Sequence, residues 1–141
     1  MTSIHRHALV RHSARRMYDL VNDVAGYPAR FPWCEGSQVL EASDAHMLAR
    51  LELRLAGLRT SFTTRNTLEA PTRIKLQLAE GPFRKLSGQW HFHSLAEDAC
   101  KVSLDLDFEV AGKVFGSALA LGFQGLADRM VDDFCREADR A

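Results

Sequence analysis

Apolar and polar residues alternate with a period of two over most of the chain between residues 38 and 110. Such alternation is typical of β-strands that bury one face and expose the other. Short breaks containing glycine, proline or acidic residues separate the alternating segments, and their length suits hairpin connections. The pattern predicts strands over residues 47–55, 58–65, 73–78, 85–93 and 101–110, with a weaker strand over 38–42.

A helical period replaces this alternation near the end of the chain, over residues 114–138. Three glycines lie inside the predicted helix although each costs about 0.5–1 kcal/mol relative to alanine in a helix interior. Either the helix backbone packs closely on a sheet, or the absent side chains leave room for a ligand; the sequence leaves both explanations open. One face of this helix carries Phe115, Leu119, Gly122, Phe123, Leu126, Met130 and Phe134.

The N-terminal part predicts a first strand over 4–12, a helix over 14–23 behind the capping residue Ser13, and a short helical piece over 28–31. An antiparallel sheet with one apolar face needs a covering layer, and only the final helix is long and apolar enough. We therefore expect an α+β fold in which a curved sheet closes on one helix. Such an arrangement leaves a cavity suited to a small apolar ligand.

The length of 141 residues and the absence of linkers or repeats predict a single domain over 1–141. The first part of the chain has no apolar signal region, and the longest uncharged run, 114–127, is shorter than a membrane span. We expect a cytoplasmic protein. Its three cysteines, Cys34, Cys100 and Cys135, are widely spaced and are expected to be reduced thiols.

Three stretches carry a resemblance to a known family: Tyr-Pro-Ala-Arg-Phe-Pro-Trp-Cys at 27–34, Phe-Thr-Thr-Arg-Asn at 62–66, and Gly-Pro-Phe-Arg-Lys-Leu at 81–86, which continues to Gly88, Trp90 and Phe92. They resemble the family that contains the bacterial ribosome association toxin and the mitochondrial coenzyme Q-binding protein, also described as cyclase/dehydrase-like. The order of elements resembles the START-like (Bet v 1-like) helix-grip fold. Together the stretches look closer to the bacterial toxin branch.

This resemblance implies a non-catalytic carrier of a hydrophobic ligand, with ubiquinone as the expected ligand, no required cofactor and a role in respiration. For the bacterial members it implies binding to the large (50S) ribosomal subunit, which blocks subunit association and translation initiation. We take quinone binding as the first hypothesis and the ribosome association toxin as its alternative. Members of the family usually have an aromatic residue followed by leucine where this chain has Arg30 and Phe31.

Inward-facing aromatic residues and the helix glycines are candidates for the lining of the cavity, although each also suits a packed core. Arg65, among small hydroxyl residues, is either a polar handle for the ligand or a structural ion-pair partner. The candidate lining residues are Tyr27, Phe31, Trp33, Phe62, Trp90, Phe115, Leu119, Gly122 and Phe123.

Basic residues form the candidate ribosome-contacting surface. Residues 1–96 hold 13 Lys and Arg against 8 Asp and Glu, whereas residues 97–141 hold 5 against 10. A folded sheet that pairs these opposite charges is one explanation, and a basic face that meets phosphates is the other. The candidate contacts are Arg50, Arg54, Arg59, Arg84 and Lys85.

Catalytic and metal sites are not predicted. His91 and His93 share the solvated face of one strand, without a third ligand placed by the sequence. The carboxylates of Asp105, Asp107 and Glu109 share another face, where pairing with basic strand residues such as Arg73 and Lys75 explains them. Nucleophile elbows and glycine-rich phosphate loops are absent from the sequence, so we expect a protein that is not an enzyme, with cyclase-like chemistry as the less favoured alternative.

Overall fold

The computed structural model describes residues 1–55, 57–112 and 116–140. One antiparallel sheet of seven strands packs against a long C-terminal helix, with two short helices after the first strand. This is the predicted helix-grip arrangement. The elements are β1 (Thr2–Val10), α1 (Ala14–Asn22), a 3₁₀ turn (Val24–Gly26), α2 (Tyr27–Arg30), β2 (Cys34–Ala42), β3 (His46–Leu55), β4 (Leu58–Glu69), β5 (Arg73–Glu80), β6 (Phe83–Ala96), β7 (Ala99–Val110) and α3 (Gly116–Arg140).

The strand order in the sheet is β1-β7-β6-β5-β4-β3-β2. Strands β2 to β7 follow one another as antiparallel neighbours, and β1 joins the far edge by pairing with β7. The first strand and the six later strands predicted from the sequence are therefore all present. Strand β2 begins at Cys34, four residues before its predicted start, because register shifts after Cys34 and Val39 disturb the alternation.

Helix α3 covers the inner face of the sheet with the apolar stripe that the sequence predicted. Phe123, Leu126 and Phe134 are all buried. The helix is described over Gly116–Arg140 and ends two residues later than predicted, whereas its predicted start at residue 114 lies outside the described residues. Phe115, the first residue of the predicted stripe, lies outside the described residues. The stripe also includes Ala127, Val131 and Ala138, which are buried as well.

Helix α1 covers a second part of the inner face, so the expectation that only the final helix would do so was too narrow. Ser13 caps α1, and its hydroxyl accepts a hydrogen bond from the Arg16 backbone N–H at 3.1 Å. Met17 and Tyr18 are buried beneath the helix. The Tyr18 ring meets the ring of Phe92 on β6 edge-on, with 5.7 Å between centroids. Two helices of different length therefore close the sheet.

The carboxylates of β7 pair with β1 and not with β5, contrary to the expectation for Arg73 and Lys75. Asp105 lies 2.7 Å from Nδ1 of His5, and Asp107 accepts a hydrogen bond from the Ser3 hydroxyl at 2.5 Å. The reason is topological: β6 lies between β5 and β7, whereas β1 is directly adjacent to β7.

The three cysteines are free thiols. Cys34 and Cys100 are buried and Cys135 is half-buried. Burial raises the pKa of Cys34 and of Cys135 to about 11. Since the thiolate is the reactive form, these groups are poor nucleophiles near neutral pH. Within the described ranges, none of the helices is long and apolar enough to cross a membrane.

Candidate ligand cavity and basic surface

A small cavity lies between the inner face of the sheet and the helices. Its volume is about 80 Å³. Strands β3 to β7, helix α1, the segment after it and helix α3 all contribute to its lining. Four of the predicted lining residues, Tyr27, Phe62, Trp90 and Phe123, contact this space, and Met130 joins them. The lining is otherwise almost entirely aliphatic, which suits an apolar occupant.

Three polar side chains also line the cavity: Asn22, Thr64 and Asn66. The Thr64 hydroxyl donates a hydrogen bond of 2.7 Å to Oδ1 of Asn66, and both side chains are buried. Oδ1 of Asn22 is buried and has no hydrogen-bond partner within the described part of the chain. Because an unsatisfied buried acceptor costs about 1–3 kcal/mol, a donor in the cavity would stabilise this arrangement.

These polar residues were missing from the predicted site. Thr64 and Asn66 lie two and four residues beyond Phe62 on the same strand, so period-two alternation already placed them on the inner face. Asn22 gave no comparable signal, because its position depends on how the end of α1 packs over the sheet. The polar residues at inward positions of β4 were therefore the one indication in the sequence that the cavity has a polar part.

The cavity lining supplies neither an acid nor a base for catalysis. Among the described lining residues, Tyr27 is the only one with a titratable side chain. Its phenol donates a hydrogen bond to the backbone carbonyl of Val21, and burial raises its pKa well above the ordinary value. The phenol therefore stays neutral, with its proton engaged by the backbone.

Phe31 and Trp33 lie beside the cavity region without lining it. Their rings stack with 4.8 Å between centroids, and Phe31 contacts the ring of Phe134 on α3 at 4.6 Å. The indole N–H of Trp33 donates a hydrogen bond of 3.1 Å to Oδ2 of Asp133. These two aromatic residues therefore fasten the segment after α2 to α3. Arg30 pairs with Asp23 at 2.6 Å.

Leu119 and Gly122 do not line the cavity either. Leu119 is buried in the core. A Cβ atom added at Gly122 would lie 3.1 Å from Cβ of Leu55 on β3, whereas one added at Gly125 would meet nothing within 4 Å. Gly122 thus serves the close packing of α3 on the sheet, the first of the two explanations for the helix glycines. A bulky residue there would displace Leu55 instead of filling the cavity.

Arg65 lies on the outer face of β4, opposite to the cavity. Its side chain is 60% exposed and approaches Glu41 at 4.0 Å. The guanidinium therefore lies away from the cavity, whose polar lining residues are Asn22, Thr64 and Asn66. Of the two predicted roles, the structural ion pair describes its position.

The predicted basic surface is partly neutralised by its own neighbours. Arg54 and Arg59 share the carboxylate of Glu35, at 2.5 and 3.4 Å. Arg50 approaches Glu52 at 3.8 Å. At the beginning of β6, by contrast, Arg84 and Lys85 are exposed and have no ion-pair partner among the residues that the structure describes.

The two histidines of β6, His91 and His93, lie on the outer face with 5.9 Å between ring centroids. Over residues 1–55, 57–112 and 116–140, the structure brings together no group of three or more His, Cys, Asp or Glu side chains that would hold a metal ion.

Residues 10–135 match the family model for polyketide cyclase / dehydrase and lipid transport. The ribosome association toxin RatA of Pseudomonas aeruginosa is 46% identical over 97% of this chain and 95% of its own length. The crystal structure of the Zhui aromatase/cyclase from Streptomyces sp. R1128 superposes with a TM-score of 0.86, covering 99% of this chain and 94% of that one. Because the two sequences are only 23% identical, this superposition establishes the fold and nothing more.

The coenzyme Q-binding protein COQ10 of Drosophila melanogaster is more distant. It is 26% identical over 94% of this chain, and the match covers 56% of its own length. The resemblance to the bacterial toxin branch is therefore confirmed as the stronger of the two. The chain belongs to the polyketide cyclase / dehydrase and lipid transport family, and within that family it belongs with the ribosome association toxins.

Proposed function

We propose that this protein binds the large ribosomal subunit and opposes its association with the small subunit. The observation that carries this proposal is the 46% identity to a ribosome association toxin over 97% of the chain. The ribosome association toxin, the alternative hypothesis from the sequence, therefore becomes the favoured one, ahead of quinone binding. Quinone binding, placed first on the sequence, rests on a relative that is only 26% identical and is matched over 56% of its length.

The geometry of the cavity supports a binding protein over an enzyme. Its only titratable lining residue within the described ranges is Tyr27, whose proton is engaged by a backbone carbonyl. Cyclases are found among the proteins of the same fold, but at 23% identity their chemistry does not transfer to this chain. Of the five predicted basic contacts, Arg84 and Lys85 are free of carboxylate partners in the described structure and are proposed to contact RNA.

Sedimentation with purified ribosomal subunits tests the binding. We expect the protein to sediment with the large subunit at a ratio of one to one and to be absent from the small-subunit fraction. Because contacts to phosphates release counterions, two such contacts would weaken binding about 7-fold for a fourfold rise in salt concentration. Absence of binding at low salt, or equal binding to both subunits, would refute the proposal.

A second candidate function is the binding of a small apolar molecule in the cavity. It is favoured by Asn22, which lines a mostly apolar cavity and whose buried Oδ1 has no hydrogen-bond donor within the described residues. The volume of about 80 Å³ holds about three waters at their share of liquid volume. A quinone ring is larger than this space, so its entry would require the lining residues to move apart. The most suitable ligand is apolar and carries one hydroxyl that donates to Asn22.

Ala49→Leu tests this candidate, because Ala49 is buried and lines the cavity. Added methyl groups should occupy the space, so we expect loss of any quinone or lipid that co-purifies with the wild-type protein, with stability kept or slightly raised. Native mass spectrometry with organic extraction measures the ligand. Ala79→Leu, the same change at an exposed position of β5, is the control and should keep the ligand. An empty wild-type protein, or a ligand retained by Ala49→Leu, would contradict ligand binding in this cavity.

A further inference from the structure

Four adjacent strands place basic and imidazole side chains in one row on the outer face of the sheet. Arg73 of β5 lies opposite His91 of β6, and His91 lies opposite Ser103 of β7. Ser103 in turn lies opposite His7 of β1. Adjacent strands are about 4.8 Å apart, so the row extends over about 14 Å.

A second, shorter row lies next to the first. His93 of β6 is opposite Lys101 of β7, and Lys101 is opposite Leu9 of β1, whose side chain is 70% exposed. These residues face outward because their strand neighbours Phe92 and Val102 are fully buried. We call the five charged or chargeable residues of the two rows the outer strip: His7, Arg73, His91, His93 and Lys101.

The outer strip has no carboxylate partner among the described residues. Asp105 of β7 pairs with His5 at 2.7 Å, and Glu69 of β4, which lies opposite Arg73 in the sheet, pairs with Lys75 at 3.5 Å and forms no ion pair with Arg73. The strip therefore differs from the group around Arg54 and Arg59, where Glu35 neutralises part of the charge.

Arg73 provides a second observation, independent of the charge. Its Nε atom is buried and has no hydrogen-bond acceptor within the described residues. A buried donor of this kind is rare in native proteins and calls for an explanation. If the side chain turned outward, an oxygen atom of a bound anion would satisfy the guanidinium, which matches phosphate geometry with two parallel hydrogen bonds.

We infer that the outer strip binds RNA of the large ribosomal subunit at an unpaired segment; the inference rests on the proposed function and names its contact surface. Arg73 and Lys101 meet backbone phosphates by charge complementarity. Unpaired bases are recognised by stacking on flat side chains, including histidine rings and the guanidinium plane, and an open antiparallel sheet is a suitable platform for this. The strip combines both kinds of group on one exposed sheet face.

The test compares two double variants that remove the same charge. Arg73→Gln with Lys101→Gln removes both permanent charges from the strip. Arg136→Gln with Arg140→Gln is the matched control, because these residues lie exposed on α3 and pair with Asp133 and Glu137. Affinity for the purified large subunit is measured at several salt concentrations, and the unfolding transition of each variant is measured alongside.

We expect the strip variant to bind about 25-fold more weakly at 0.1 M salt, with a slope of log affinity against log salt that is smaller by about 1.4. The control should bind like the wild type. His7→Ala with His91→Ala should weaken binding without changing the slope, since stacking does not release counterions.

The outcomes separate this inference from the proposed function. A wild-type protein that fails to bind the large subunit refutes both. If the wild type binds and the strip variant binds equally well, the strip inference is wrong while the proposed function stands. Binding to vesicles that contain phosphatidylserine is measured as well. If the strip variant loses vesicle binding but keeps ribosome binding, the strip contacts a membrane surface and the RNA contact is refuted.

Discussion

Replacing Phe134 with alanine is expected to lower the free energy of unfolding by about 3–5 kcal/mol. Phe134 is fully buried on α3. Its ring centroid lies 4.6 Å from that of Phe31 and 5.3 Å from those of Tyr27 and Trp90. The substitution removes the ring that joins α3 to both α2 and β6, and the surrounding backbone is too constrained to collapse fully into the space. Urea denaturation followed by tryptophan fluorescence measures the change.

Leu121→Ala is the control for this variant, because Leu121 is on the same helix and its side chain is 72% exposed. Its free energy of unfolding should stay within about 0.5 kcal/mol of the wild-type value. A loss below about 1 kcal/mol for Phe134→Ala would contradict the central place of this ring in the core.

Gly88→Ala is expected to lower the free energy of unfolding by about 1–3 kcal/mol. A Cβ atom on Gly88 would lie 2.3 Å from the backbone oxygen of Asp105 and 2.9 Å from Cδ1 of Leu106, both on β7. The first of these contacts is with backbone, so β6 and β7 would have to separate locally to accommodate the methyl group. Thermal unfolding followed by circular dichroism measures the loss.

Gly125→Ala makes the same chemical change with the opposite expected sign. Gly125 is exposed on α3, and an added Cβ would meet nothing within 4 Å. Since alanine is the better helix former, the free energy of unfolding should rise by about 0.5–1 kcal/mol. Shifts of equal sign in the two variants would show that the close approach of β6 and β7 does not control the response at Gly88.

The architecture followed from the sequence wherever burial alternates cleanly. Strand β7 is the clearest case: Val102, Leu104 and Phe108 are buried, and the residues between them are half-exposed. Strand β2 departs from this pattern because it is an edge strand with two register shifts and mostly exposed residues. A strand without a buried face gives little periodic signal, so its start at Cys34 was not predictable.

The candidate site was predictable to a lesser extent. Aromatic residues at inward positions, such as Phe62 and Trp90, line the cavity as the alternation indicates. The same alternation places Arg65 outward, which was evidence against its role as a ligand handle. The partner of Gly122, Leu55, lies on a distant strand, and periodicity alone does not identify which atoms a helix glycine contacts.

Charge partners were the least predictable feature. Glu35 neutralises Arg54 from 19 residues away in the sequence, across the β2–β3 pair. The outer strip depends on β1 pairing with β7, which brings His7 opposite Ser103, nearly a hundred residues later. Such pairings are set by the order of strands in the sheet. A sequence shows where charges lie along each strand but not which strands become neighbours.

The most direct test of the proposed function is subunit joining in the presence of the purified protein. Separated small and large subunits are mixed under conditions that favour joining, with increasing amounts of protein, and resolved on a sucrose gradient. We predict that the joined-ribosome peak falls as protein is added, while the protein itself sediments with the free large subunit. An unchanged joined-ribosome peak at saturating protein, with no protein in the large-subunit fraction, would contradict the proposal.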